Sequence, residues 1–418
     1  MKLVFLAIAL LFGHAAGAQV TNAVLKSGVP ATSTSVFVDH KSTSKVIVVL
    51  GNGTGFTSVD GGAHWDEWAG AVDDGHTLST LVTDVKGALY GVYGEKQQEL
   101  TVPATRWAEV AGGKWSEWGY PALTETADNF DFQLNSGLKK EELLLSWTAW
   151  IHPGQPDCSS VVYFSKSDNR GRKWSKPVRV NATEGKCVRD GGAVLPAAPV
   201  MASDGKLFTC WTGGGSIYLD RSYDEGQMWL SGDLTIGKIR GGNEGYEIPD
   251  AGKFNHRVAF GIDNSTGPFQ KSLYIAWADQ RNGATNTDIW MTRSSNRGDN
   301  WSQPLKMNQD TTLRHQYLPG IALDPVNGAL YAAWYDRRES ANEDTHVYLA
   351  WSLDGGNHFT EIRVSEQAFR HLKGNDHPVS IQALKGVIAV SWLGEVAGEA
   401  RAFAAVVQAD ALKTNPTK

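Results

Sequence analysis

The chain has 418 residues, of which 41% are hydrophobic and 20% charged, with a net charge of −6 at pH 7. This is globular composition with enough apolar material for a sizeable core. No basic block marks it as a partner of nucleic acid or an anionic membrane, although a cleft can still focus positive charge on an anionic sugar.

The N-terminus carries Lys2, the apolar run Leu3–Phe12 and the small-x-small site Ala16-Gly17-Ala18. This pattern predicts a signal peptide over residues 1–18 and a mature chain from Gln19. The run is too short to cross a bilayer, and no later stretch approaches twenty apolar residues. No cysteine stands at the cleavage site to carry a lipid. The expectation is a soluble, exported monomer without a membrane span, extracellular or periplasmic.

Downstream, short runs of branched and aromatic residues come in pairs separated by turn signals, which predicts strands. The pairs are SVFVD with KVIVVLG, TLVTD with ALYGVYG, FDFQL with ELLLSWTAW, and APVMAS with LFTCWTG. RVAFGID with SLYIAWAD, GIALD with ALYAAWYD, and VSIQAL with VIAVSWLG follow. After five of these pairs comes the pattern Ser-x-Asp/Asn-x-Gly-x-x-Trp/Phe. Its copies run from Ser58 to Trp65, Ser167 to Trp174, Ser222 to Trp229, Ser294 to Trp301 and Ser352 to Phe359. Each reads as a hairpin turn. Asp or Asn bonds nearby backbone, Gly supplies a positive φ, Ser offers its hydroxyl, and the aromatic starts the return strand. These aspartates are therefore read as turn residues, not catalysts.

A pair plus a hairpin makes four strands, and such units recur every fifty to sixty residues or so, which predicts an all-β propeller. The expectation is seven four-stranded blades in one domain over residues 19–412. Six blades plus an accessory hairpin is the competing count. The second repeat, around Trp107 to Trp115, lacks the hairpin pattern. The last repeat is short after RAFAAVV, and the N-terminal VTNAVLK would supply its outer strand and close the ring, leaving fewer exposed edges. Residues 413–418 read as a frayed tail.

Of the three cysteines, Cys158 and Cys187 flank the Ser167 hairpin and could pair in an oxidising compartment, whereas Cys210 in LFTCW reads as a buried thiol. Neither CxxC nor HxxxH spacing is present, and no EF-hand-like spacing supports calcium, so no metal or cofactor is expected. Asn52, Asn181, Asn264 and Asn300 lie in N-x-S/T sequons.

With its five hairpin motifs the chain resembles the Asp-box, or BNR-repeat, proteins, whose best-known enzymes are sialidases. From Gly192 to Trp392 it is most similar to bacterial sialidase-like secreted proteins with a repeating W-x-D-x-R. Here that motif is Trp277-Ala-Asp279-Gln-Arg281 and Trp334-Tyr-Asp336-Arg-Arg338. The resemblance implies a glycoside hydrolase site with arginines on a substrate carboxylate, a Tyr–Glu nucleophile pair and an Asp acid/base. The first arginine of this chain is Arg106.

Connectivity puts the hairpin turns on one face of a propeller and the inter-blade loops on the other, where a substrate meets the channel. Polar residues gather in those loops: Asp73, Asp74, His76; Arg189, Asp190; Glu244, Tyr246, Asn255, His256, Arg257; Arg314, His315, Gln316, Tyr317; Asn375, Asp376, His377. The loops between second and third strands add Asp279, Arg281, Asp336, Arg337 and Arg338. The repeated Asp279/Arg281 and Asp336/Arg338 pairs read foremost as salt bridges between blades, and Tyr317 as packing beside Pro319.

Three functions follow. In an exo-glycosidase for an acidic, sialic-acid-like sugar, Arg189, Arg257 and Arg281 would clamp the acid, with Arg338, His76 and His377 also in the substrate-binding set. Asp190 or Asp74 would then be the acid, and Tyr246 or Tyr317 the nucleophile, with Glu244 as its base. A uronate lyase would use His76, His256, His315 or His377 as base, with Tyr317 and an arginine. A binding propeller would hold a glycan or protein on exposed tryptophans among its sixteen.

Overall fold

The computed structural model describes residues 20–25, 31–68, 76–97, 100–109, 113–122, 127–188, 192–240, 245–340 and 342–412. The signal-peptide residues 1–18, the tail 413–418 and the candidates Asp73, Asp74, Arg189, Asp190 and Glu244 lie outside them.

The fold is an all-β propeller. Apart from a four-residue helix at Ala409–Leu412, the described regular elements are strands. Each predicted pair of runs forms two neighbouring antiparallel strands, because apolar residues cover both sides of a sheet that is sandwiched between neighbours. Leu143–Ile151, for example, is buried along almost its whole length. Each ladder is named here by the first residue of its innermost strand.

The Thr34 ladder runs Thr34–Val38, Val46–Leu50, Gly55–Ser58, Asp66–Trp68. The His76 ladder has His76–Thr83, Leu89–Gln97 and Leu100–Ala108, with a further bridge from Thr105 to Gly119. The Asp128 ladder runs Asp128–Ser136, Leu143–Ile151, Ser159–Ser167, Val178–Arg179. In the Leu195 ladder, Leu195–Pro196 and Val200–Met201 share the partner Leu207–Gly213, followed by Ser216–Ser222 and Leu234–Lys238. The Val258 ladder is Val258–Ile262, Leu273–Asp279, Asp288–Ser294, Leu305–Lys306, and the Gln316 ladder is Gln316–Leu323, Leu330–Asp336, Asp344–Ser352, Thr360–Arg363. The Ser380 ladder has Ser380–Leu384, Val387–Val396 and Glu399–Gln408, and its outer neighbour is the N-terminal strand Val20–Leu25, in register from Val20 opposite Val407 to Leu25 opposite Ala402.

The ladders are not all separate. Phe369–Arg370 pairs with both Asp344–Ser352 and Val387–Val396, so the Gln316 and Ser380 ladders form one continuous sheet. A separate hairpin, Tyr246–Ile248 with Gly252–Phe254, precedes the Val258 ladder.

Neighbouring ladders are tied at their inner strands. Ser79 and Thr80 hydroxyls donate to the Phe132 carbonyl, Asn135 to Pro199 O, and Asn264 to Met201 O. Val36 and Val38 N–H donate to Ser380 Oγ at 3.0 Å and Gln382 Oε1 at 2.5 Å, so the Ser380 ladder lies against the Thr34 ladder. Gly320 permits the close approach between the Gln316 and Ser380 strands, since a Cβ there would stand 2.2 Å from the Val379 carbonyl oxygen. The hydrophobic core is correspondingly divided into layers between ladders. One joins Phe37, Ile47 and Val49 to Leu78, Leu89 and Tyr93, and another joins Val36, Val46 and Val48 to Ala389, Leu393 and Val406.

All five hairpin motifs form the same turn. In each, the Ser hydroxyl donates to the Asp or Asn side chain and accepts the Gly N–H, as Ser294 does with Asn296 at 2.9 Å and Gly298 at 2.8 Å. The left-handed residues are the Gly and the residue before it, such as Arg297 and Gly298, not the Asp or Asn. Trp65, Trp174 and Trp301 close the turn by donating their indole N–H to that Gly carbonyl. Cys158 and Cys187 form a disulfide, and Cys210 is free and buried, where desolvation raises its pKa well above the usual thiol value. Among the sequons, Asn300 is exposed, while Asn181 is buried and bonded to Val162 N–H and Thr183 O. No helix among the described residues is long and apolar enough to cross a membrane.

Candidate functional site

Three inner strands depart from regular pairing toward the face opposite the hairpin turns. Register shifts fall between Leu78 and Thr80, opposite Ser146 to Thr148 in the Asp128 ladder, and between Tyr317 and Gly320. Asp131 (φ 56°) and Leu318 (φ 54°) sit in the latter two irregularities in the left-handed region, which costs a residue with a Cβ about 1–2 kcal/mol. Bulges re-aim side chains, and strain of this kind concentrates at functional sites.

The bulge at Asp131 turns its carboxylate toward Arg257, which comes from the segment entering the Val258 ladder. Arg257 Nη1 bonds Asp131 Oδ1, and Arg257 Nε lies 3.8 Å from Asp376 Oδ2, in the loop entering the Ser380 ladder. Gln133 Nε2 donates to the same Asp131 oxygen at 2.8 Å. The Asp131 side chain is only 4% exposed, and its Oδ2 is buried without a hydrogen-bond partner. Burial opposes the charge on Arg257, but Asp131 and Asp376 outweigh it and raise its pKa. His377 is half-buried, and desolvation lowers its pKa despite Asp376, with Arg257 acting in the same sense as burial.

Arg257 and Gln133 of this group line a cavity of about 250 Å³ in the channel, together with Tyr246, Leu318 and otherwise mainly apolar inner-strand residues. The Tyr246–Phe254 hairpin forms part of its wall and is fixed over the neighbouring loops. Arg337 donates to Pro249 O at 2.7 Å, Gly374 N–H donates to Ala251 O at 2.8 Å, and Phe254 stacks on Tyr317. Tyr246 is buried, its oxygen accepting the Leu318 N–H at 3.4 Å, and burial raises its pKa.

The structure brings Arg257, Tyr246 and His377 together. Among the described candidates, it places Tyr317, His76, Arg281 and Arg338 elsewhere. Tyr317 is fully buried among Phe254, Tyr335 and His371, with its hydroxyl against Thr345 Oγ1 and its pKa raised by burial. His76 stacks on Trp118 at 3.8 Å, with Glu95 3.3 Å from its Nε2. Arg281 is committed within its own loop, and Arg338 to its own loop and to Glu361 on the outer strand of the same ladder. Arg281 Nη2 is 2.5 Å from Asp279 Oδ2, and Arg338 Nη2 is 2.7 Å from Asp336 Oδ2. This corrects the expectation of salt bridges between blades. The strand ends at the aspartate, and the bend that follows folds each arginine back over the cross-strand aromatic, Trp290 or Tyr348, 3.9 Å from the ring centre. Trp277 and Trp334 donate their indole N–H to the same aspartates, so W-x-D-x-R is a local clasp.

The sequence reading missed Asp131 and His371. Asp131 looks like one polar position in an alternating strand, and only its positive φ and orphaned oxygen distinguish it. His371 is buried against Phe254, Tyr317 and Tyr335, its Nε2 2.8 Å from Asn375 O, and desolvation lowers its pKa to about 4. The described residues contain no His/Cys/Asp/Glu group arranged to hold a metal.

No family model matches the chain, and no curated protein matches it. Solved structures do. A mutant of the NanB sialidase from Streptococcus pneumoniae superposes with a TM-score of 0.52 at 9% identity, over 88% of this chain and 84% of that one. The intramolecular trans-sialidase from Ruminococcus gnavus, in complex with oseltamivir carboxylate, gives 0.52 at 10% identity over 82% and 96%. An ulvan lyase of polysaccharide lyase family PL25, bound to GlcA(1-4)Rha3S, gives 0.51 at 11% identity over 93% and 98%. The fold is thus a sialidase-like β-propeller.

Proposed function

We propose that the chain is an exported, glycan-acting propeller enzyme, a glycoside hydrolase that takes an acidic sugar at the channel mouth around Arg257. The observation that carries this reading is the convergence of Arg257, Asp131 and Asp376 from three ladders at the lip of a cavity walled by Tyr246. A guanidinium held in place is suited to a carboxylate. Asp376 is 38% exposed and 3.8 Å from Arg257 Nε, so a substrate carboxylate would replace it on that edge, leaving Asp131 to hold the other. Displaced Asp376 would then stand beside the sugar as general acid, protonating the leaving oxygen as the glycosidic bond breaks; water adds to the anomeric carbon and its proton returns to the Asp376 carboxylate. Arg189, Asp190 and Glu244 stay in this proposal by chain position, Glu244 standing two residues before Tyr246.

We propose seven blades in a single domain, with Val20–Leu25 closing the ring as outer strand of the last blade; the seven ladders and the pairing of Val20–Leu25 with Glu399–Gln408 support this reading. The signal-peptide pattern and the disulfide between Cys158 and Cys187 support export to an oxidising compartment.

A uronate lyase is the second reading. His377, kept neutral beside Arg257, has the protonation state that a base for C5 proton abstraction needs. One experiment separates these readings. The mature protein is incubated with sialosides and uronate-containing polysaccharides, and products are weighed by mass spectrometry. Release of a free acidic sugar supports hydrolysis, with a loss of about 100-fold or more expected in Arg257→Ala. Unsaturated uronate ends would establish the lyase. Folded protein that leaves the whole panel unchanged would overturn both in favour of a binding propeller.

A further inference from the structure

A cavity of about 340 Å³ opens between the Gln316 and Ser380 ladders, on the face that carries the hairpin turns. Leu353, inside the last hairpin motif, and Asn327, in the turn after Gln316–Leu323, line it from one ladder. Lys385 and Gln408 line it from the other. Among the described residues, it shares none of its lining with the cavity at Arg257. Its volume lies within the usual range of small-molecule sites, about 300–1,000 Å³.

Tyr331 and Trp351 stand opposite each other on neighbouring strands and both line the cavity. Tyr331 is 1% exposed and Trp351 8%. Among the described residues, neither the Tyr331 hydroxyl nor the Trp351 indole N–H has a hydrogen-bond partner, and neither atom is closed to solvent. Side-chain polar groups this deeply set are ordinarily paired within the protein. Burial, with Asp324 and Asp410, raises the Tyr331 pKa to about 12, so the hydroxyl keeps its proton. The cavity thus offers two neighbouring donors that a ligand must meet with acceptors. At the rim, the exposed Asn327 and Gln408 amides each donate and accept. Lys385 and Asp410 stand there with opposite charges, so the rim carries no net charge. An ion would lose its hydration without a net counter-charge, and a wholly apolar ligand would leave both donors unmet. A neutral sugar has the matching chemistry: oxygens for Tyr331 and Trp351, hydroxyls for the amides, and C–H faces for Val326 and Leu353.

We propose that this cavity is an accessory site for a neutral sugar unit, on the face opposite the Arg257 mouth and independent of the reaction there. The test is saturation-transfer NMR on the mature protein with methyl α-D-glucopyranoside and methyl β-D-galactopyranoside. Saturation transfer is expected to at least one of them. Tyr331→Phe, which removes the hydroxyl and keeps the ring, should raise its Kd about fivefold, the equivalent of one neutral hydrogen bond. Leu353→Trp, at an exposed lining position, should abolish binding by filling the entrance while leaving thermal unfolding unchanged. Arg257→Ala should leave the Kd as it is. Absence of transfer from folded protein to both sugars would overturn the proposal and leave water as the partner of both donors. So would binding unchanged in both Tyr331→Phe and Leu353→Trp, or binding lost in Arg257→Ala.

Discussion

Asp336 Oδ2 accepts the indole N–H of Trp334 at 2.8 Å from within the same strand. The carboxylate is wholly buried, and Arg338 completes the clasp from the bend beyond. Asp279 repeats the arrangement with Trp277 and Arg281. Removing one member leaves the others buried with unmet polarity, which is costlier than the pair is worth. Asp336→Ala is therefore expected to lose about 3 kcal/mol in urea unfolding. Arg338→Lys should lose less, because the ammonium keeps the charge but not the flat contact with Tyr348.

The hairpin turns should be separable from the chemistry. Ser294→Ala deletes both the bond from Gly298 N–H and the bond to Asn296. A loss of about 1–2 kcal/mol is expected by thermal or chemical unfolding, with turnover of any substrate unchanged. A turnover loss without a stability loss would contradict the structural role of the motif.

Acid should destabilise the fold through His371. Its imidazole titrates at about 4 in the folded chain, against about 6.5 when unfolded. Between those values the unfolded state holds a proton that the folded state lacks, so stability falls as pH drops from about 6.5 toward 4 and is complete above that window. The full effect is about 3 kcal/mol for a shift of this size. His371→Gln keeps an N–H donor for Asn375 O but does not titrate, so its unfolding free energy should decline less between pH 7 and 4 than that of the natural chain. Parallel declines in the two proteins would rule this out.

The disulfide spans 29 residues in sequence, a loop for which cross-linking contributes about 3–4 kcal/mol in the chain-entropy picture. Cys158→Ser with Cys187→Ser should lower the unfolding midpoint by a corresponding amount, and reducing agent should then have no further effect. Cys210 should remain unreactive toward a thiol reagent until the chain unfolds, because it is fully buried and its thiolate is suppressed.

The sequence by itself determined what depends on neighbours a few residues apart. The hairpin turns were legible because Ser294, Asn296 and Gly298 bond one another within five positions, and the paired strands because branched and aromatic runs alternate with turn residues. The pairing of Cys158 with Cys187 was open in the sequence, since nothing local sets their separation in space. The tertiary structure alone decided the candidate site. Arg257 and Asp131 are 126 positions apart and meet because successive ladders turn around a common channel. Asp131 is marked by a backbone bulge that its residue type does not announce, and Arg281 and Arg338 are withdrawn from the channel by aspartates two residues away. Side chains of one type thus received different fates from the paths of their strands, which no local pattern encodes.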